Sequence, residues 1–281
     1  MHSASQTDLP RWLPRASLDV LVAVEAVLGN AEWLLVGALA RDHAFRDSDD
    51  LGRLRATMDV DLAVLVATWD EFAAAFEGLI RSGGFQRTGV RHRLRHANGQ
   101  LLDVLPFGGV EVGSHIAWPP DGEPEMNMMG FGDAFRASSR VALPGDLRIR
   151  VATPPGVALL KIIAWHDNPA ERERDLEDIA AFIRGYVTEI LGWNAAFKAY
   201  ADVMTADGFD LDEAGAEALG RDIAGILSPA VHGRFVGMVD GLDAAESRFA
   251  AGVQEYLHLD FERARRVCAK LLLGIREGRR E

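Results

Sequence analysis

Apolar positions recur along this 281-residue chain with two periods, and the change from one to the other near residue 151 divides it. Up to that point short apolar runs, the mark of strands, lie between stretches spaced three and four apart, the mark of helices. Leu18, Leu21, Val22, Val24 and Leu28 predict a first helix, capped by Ser17 and ended by Gly29-Asn30. Residues 33–36 predict a buried strand running into Gly37, with a helix over 38–45 after it. Residues 59–66 are β-rich, and helical spacing returns over 69–80 through Trp69, Phe72, Phe76 and Leu79, stopping at Gly83-Gly84. Segments 85–96 and 100–105 predict a hairpin about Asn98-Gly99. The Gly-, Pro- and Met-rich stretch 107–132 predicts loop with short strands, and 147–151 a further strand. Pro154-Pro155 opens a helix through Trp165, and from Glu171 the pattern is helical almost to the end, with breaks near Gly208, Ser228-Pro229 and Gly241. The expected organisation is a flexible lead-in over 1–15, an α/β domain over 16–151 and a helical domain over 152–281.

Composition adds few constraints beyond this. With 48% hydrophobic and 26% charged residues, the chain has an ordinary globular balance. No apolar run approaches the roughly 18 residues of a membrane span, and the densest, 157–165, contains Lys161. The N-terminus lacks the apolar core and small-residue cleavage site of a signal peptide. A single cysteine, Cys268, leaves no internal disulfide framework and suits a reducing compartment. The expectation is a soluble cytoplasmic protein without a membrane segment. The net charge of −12 counts against a chain that coats nucleic acid, because phosphate contacts supply most of such affinity.

Chemistry concentrates in two strands. In Arg55-Ala56-Thr57-Met58-Asp59-Val60-Asp61-Leu62, two aspartates flank a valine at the start of a strand. Strand side chains alternate, so Asp59 and Asp61 share one face. Like charges so close require a cation or an Arg/Lys partner. In Leu101-Leu102-Asp103-Val104-Leu105-Pro106, a further acid sits inside an apolar strand, where it must be paired or functional. If the two strands are neighbours, Asp59, Asp61 and Asp103 converge into a hard-oxygen site suited to Mg²⁺ or Mn²⁺. The alternative is that the first two are solvated and Asp103 meets an arginine.

Val36-Gly37-Ala38, Arg55-x-Thr57-x-Asp59-x-Asp61 and Leu102-Asp103-Val104-Leu105 together resemble the nucleotidyltransferase superfamily, and most of all its AbiEii-type branch of bacterial toxin–antitoxin systems. The resemblance implies an α+β fold: a polymerase-beta-like mixed-sheet domain followed by a helical C-terminal domain. It implies that the Gly37-Ala38 turn cradles a nucleoside triphosphate, as a glycine turn at a helix N-terminus can. Asp59, Asp61 and Asp103 would hold Mg²⁺ or Mn²⁺. It extends more weakly to Lys161, as a cation for the triphosphate, and to Asp175 and Asp178, preceded by Arg172 and Arg174. Where the family has Ser, Thr or Gly after the glycine, this chain has Ala38, so a hydroxyl donor to phosphate is missing.

The expected reaction moves a nucleoside monophosphate to an acceptor hydroxyl, on tRNA or other RNA, with a cognate antitoxin as a further partner. A small acceptor resembling an aminoglycoside, and a degenerate nucleotide-binding or antitoxin-like partner protein, are the alternatives. Arg87, Arg91, Arg93 and Arg95 are expected as a row on one strand face, available to phosphates or simply charged and solvated. His92 and His96 have the spacing of a zinc pair but no third ligand nearby. Trp118 and Met126–Met129 are expected in a base pocket or a core, and the basic amphipathic run 262–280 as a packed or partner-docking helix. No P-loop and no Gly-x-Ser-x-Gly elbow occurs.

Overall fold

The computed structural model describes residues 9–48 and 59–278. Compact units form over Met1–Thr153 and Pro154–Glu281. The first begins with helix α1 (Arg15–Leu28), strand β1 (Trp33–Val36), helix α2 (Gly37–Ala44), strand β2 (Asp59–Val66) and helix α3 (Trp69–Arg81). Strands β3 (Phe85–Arg87), β4 (Arg93–His96) and β5 (Leu101–Gly108) follow. Short strands β6 (His115–Ala117) and β7 (Glu125–Asn127) pair with each other, and helix α4 (Phe131–Arg136) leads to β8 (Ser139–Ala142) and β9 (Arg148–Val151).

Seven strands form one mixed sheet in the order β3-β4-β5-β2-β1-β9-β8. Its centre is the parallel pair β2/β5, with β1 antiparallel to β2. Alternation along β2 explains its place: Val60, Leu62 and Val64 are fully buried on one face, and Asp59 and Asp61 emerge on the other. Helix α3 starts where the Thr68 side chain accepts the N–H of Glu71.

Several expectations need correcting here. Helix α1 starts at Arg15 with Pro14 at its N-cap; Ser17 does not cap it but is buried, its hydroxyl donating to Gln100 Oε1 at 3.5 Å. The lead-in is anchored from within: Trp12 and Leu13 are buried, and Trp12 meets the His43 ring edge-on at 4.8 Å. Segment 85–96 is two strands rather than one. The Thr88 hydroxyl accepts the N–H of Val90 and donates to the carbonyl of Arg93, turning the chain between β3 and β4.

The second unit is helical: α5 (Pro154–Asp167), α6 (Glu173–Gly185), a π-helical turn (Tyr186–Leu191), α7 (Trp193–Ala199), α8 (Ala201–Met204), α9 (Leu211–Ile226), α10 (Pro229–Val239), α11 (Arg248–Leu257) and α12 (Phe261–Glu277). Helices α9 and α12 lie with their backbones in contact. A Cβ on Gly274 would overlap the Glu217 carbonyl, and one on Gly220 would overlap that of Leu271. The basic terminal run is thus a packed helix, with Val267, Leu271, Leu272 and Ile275 buried. Among the described residues no helix is long and apolar enough to cross a membrane.

Candidate active site

Register brings the first-unit residues together. Across the parallel pair, Asp61 lies directly opposite Asp103, and Asp59 opposite Leu101. Asp59, Asp61 and Asp103 therefore project from the same face of the central strands. Asp103 is 8% exposed, and Asp59 and Asp61 are half-buried. On the other side of β2, Val36 pairs with Asp61, which sets Gly37 beside that carboxylate.

Gly37 is glycine for two reasons. Its φ of +65° lies in the left-handed region. A Cβ there would also fall inside the Asp61 carboxyl group, 2.6 Å from Cγ. The chain then enters α2, whose N-terminus carries no side-chain cap. Ala38 follows, buried, in its first turn. Uncapped N–H groups at a helix start, next to a glycine, can donate to phosphate oxygens.

Asp103 has a partner that the motif did not name. Arg93 donates from Nε to Oδ1 and from Nη2 to Oδ2, each at 2.7 Å. Arg93 and Asp103 are paired across β4/β5. The Arg93 pKa is raised further, chiefly by its hydrogen bonds to Asp103, with the charges of Asp103, Asp59 and Asp61 adding. The arginine therefore faces the whole cluster. The signal was present in the sequence, because a turn at Asn98-Gly99 with His96 N–H bonded to the Gln100 carbonyl sets residue 93 opposite 103.

The rest of the expected arginine row is dispersed. Arg87 pairs with Glu77, Arg91 with Asp121 and the Pro119 carbonyl, and Arg95 reaches the Gly99 carbonyl. His96 packs on Phe85 and His92 on Trp118. Trp118 is a core residue: it is buried against Trp69 and Phe72, and its indole N–H donates to Met126 Sδ. Arg55 and Thr57 lie outside the described residues.

In the second unit, Lys161 on α5 contacts Asp175 and Asp178 of α6, each at 2.7 Å. Burial opposes its charge, but the charges of Asp178 and Asp175 outweigh that, and its pKa is raised. Arg172 adds a 3.6 Å contact to Asp175. An ammonium 8% exposed and already compensated by two carboxylates ties α5 to α6. Asp175 is its partner there.

The donor set Asp59, Asp61 and Asp103 is all carboxylate oxygen, which suits a hard divalent cation. It is not preassembled: among the described residues no group of three or more His, Cys, Asp or Glu is arranged to hold a metal ion.

A mixed sheet with acids on its central strands and a glycine turn entering a helix beside them is the arrangement that the resemblance to nucleotidyltransferases implies. The family model for the nucleotidyl transferase AbiEii toxin of type IV toxin–antitoxin systems matches residues 51–255, and the chain belongs to that family. Comparison with curated proteins gives no match.

Proposed function

We propose that the protein transfers a nucleoside monophosphate from a nucleoside triphosphate to an acceptor hydroxyl, at the cluster formed by Asp59, Asp61 and Asp103. The observation that carries this reading is the register that sets Asp61 between Gly37 and Asp103. The backbone N–H groups of Gly37 and Ala38 bind the triphosphate, aided by the uncapped start of α2. Asp59 and Asp61 would hold Mg²⁺ or Mn²⁺, with Asp103 as a further ligand. Such a cation, when bound, offsets charge on the attacking and leaving oxygens. Asp103, the most buried of the three, also accepts the proton of the acceptor hydroxyl.

The acceptor in this reading is RNA, which the placement among toxins supports. A cognate antitoxin is the corresponding protein partner. The test is incubation of the protein with each α-labelled nucleoside triphosphate, Mg²⁺ or Mn²⁺, and either total bacterial RNA or an aminoglycoside panel. Label on RNA is expected. Label on the aminoglycosides would move the acceptor to small molecules, and binding of triphosphate without transfer to either would leave a nucleotide-binding protein.

A further inference from the structure

Arg93, Asp103 and Asp61 form a row across three strands, each opposite the next in register. The backbone thus commits Arg93 to the face on which the carboxylates stand. Other arginines of the same segment are engaged away from it, Arg87 on Glu77 and Arg91 on Asp121. Arg95 stands on the same face, opposite Leu101, and reaches the Gly99 carbonyl, whereas Arg93 takes both oxygens of the most buried of the three acids.

We propose that Arg93 is a built-in counter-ion of the site, holding Asp103 while no divalent cation is bound and yielding it when one binds. The inference rests on the reading of Asp59, Asp61 and Asp103 as cation ligands. A buried carboxylate opposite a second one is costly unless its charge is met, and a guanidinium fork is the strongest side-chain answer. The same fork occupies both oxygens that a cation needs, and its positive charge repels the incoming ion. Arg93 can leave, because its side chain is 31% exposed. Affinity for the cation is thereby set lower than three carboxylates alone would give. Arg93 is accordingly a competitor of the cation for Asp103, and touches no reacting atom.

The experiment compares Mn²⁺ affinity, by calorimetric titration, in wild type, Arg93→Met and Arg93→Lys. Removing a unit positive charge at this range should tighten Arg93→Met by at least about tenfold. Arg93→Lys, which keeps the charge and loses the fork, should fall between. The metal-free melting temperature of Arg93→Met should drop, and its rise on adding Mn²⁺ should exceed that of wild type. Equal or weaker Mn²⁺ binding by Arg93→Met overturns the proposal, the weaker case marking Arg93 as an orienter of Asp103. Should Arg93→Met not fold, Mg²⁺ titration of ¹⁵N-arginine wild type reads the Arg93 Nε–H directly, with Arg93→Lys for assignment. A resonance unmoved at saturating Mg²⁺ also overturns it. An Asp59→Ala, Asp61→Ala double variant separates the two levels. If it binds Mn²⁺ as wild type does, the cation reading itself fails; if it loses binding and Arg93→Met is no tighter, only the counter-ion role fails.

Discussion

Gly37→Ala carries two penalties that the structure allows to be separated. The first is conformational, since φ is +65° and an alanine in the left-handed region costs roughly 1–2 kcal/mol. The second is steric. The added Cβ would stand 2.6 Å from Asp61 Cγ and 2.8 Å from its Cβ, so the whole side chain must move rather than tip aside. Forcing an extra carbon into such a contact costs about 1–3 kcal/mol. Gly145 supplies the control, because its φ is +81° and nothing lies within 4 Å of the added carbon. Gly145→Ala should lose only the first amount, and Gly37→Ala about 2–5 kcal/mol in all. At 2–4 °C per kcal/mol for a unit of this size, the two melting temperatures should differ clearly. Urea and thermal melts of both variants measure the difference. In an Asp61→Gly background the cost of Gly37→Ala should fall to the conformational part, a direct double-mutant test of the contact. Equal losses in the two alanine variants, or an unchanged cost in that background, would show that Gly37 and Asp61 are not in contact.

Lys161→Met should destabilise the helical unit by about 3–5 kcal/mol, because it leaves Asp175 and Asp178 without their shared cation; a loss below 1 kcal/mol in urea melts would mean the triad is solvated. Since the Lys161 pKa is raised on folding, its contribution should be complete below the unfolded value near 10.4 and fade only as pH climbs through the folded one. His43 runs the other way: burial first, and Arg46 second, lower its pKa from 6.5 to about 4. The unfolded chain therefore gains that proton first, and stability should fall as pH drops from about 6.5 to about 4; His43→Asn should flatten this part of the pH–stability curve. Ala38→Ser should tighten Mg-triphosphate binding by up to about 1.5–3 kcal/mol if its hydroxyl reaches a phosphate, and calorimetry giving equal affinities would place that side chain out of reach.

Strands β1, β2 and β5 were legible because each is a largely apolar run, β2 with two acids at alternate positions and β5 with one. A run of that kind can lie only in the middle of a sheet, and the three do. The convergence of Asp61 and Asp103 depended on a pairing between distant segments, which motif resemblance supplied and periodicity could not. Segment 85–96 misled because Gln86, Thr88, Val90 and His92 keep a strand-like alternation through what is a turn held by the Thr88 hydroxyl. Strand β8 escaped notice for the opposite reason. It is an edge strand with mostly exposed side chains, so Ser139–Ala142 shows no apolar signal. The pairing of Lys161 with Asp175 and Asp178 left no periodic signal, since the two partners lie fourteen or more residues on, across a helix break. The Arg93 pairing was accessible in principle from the hairpin register, but only once the run was divided correctly.

The backbone contact between α9 and α12 has a genetic consequence. The family match ends at residue 255, yet α12 begins at Phe261 and covers α9 along its length. A frameshift or stop codon between the end of α9 and Phe261 leaves Glu217, Gly220 and Arg221 of α9 without that cover, on a chain whose sheet, acids and glycine turn are all encoded. Where such a protein harms its own host, the stretch that encodes α12 is a broad target for escape mutations that never touch the chemistry.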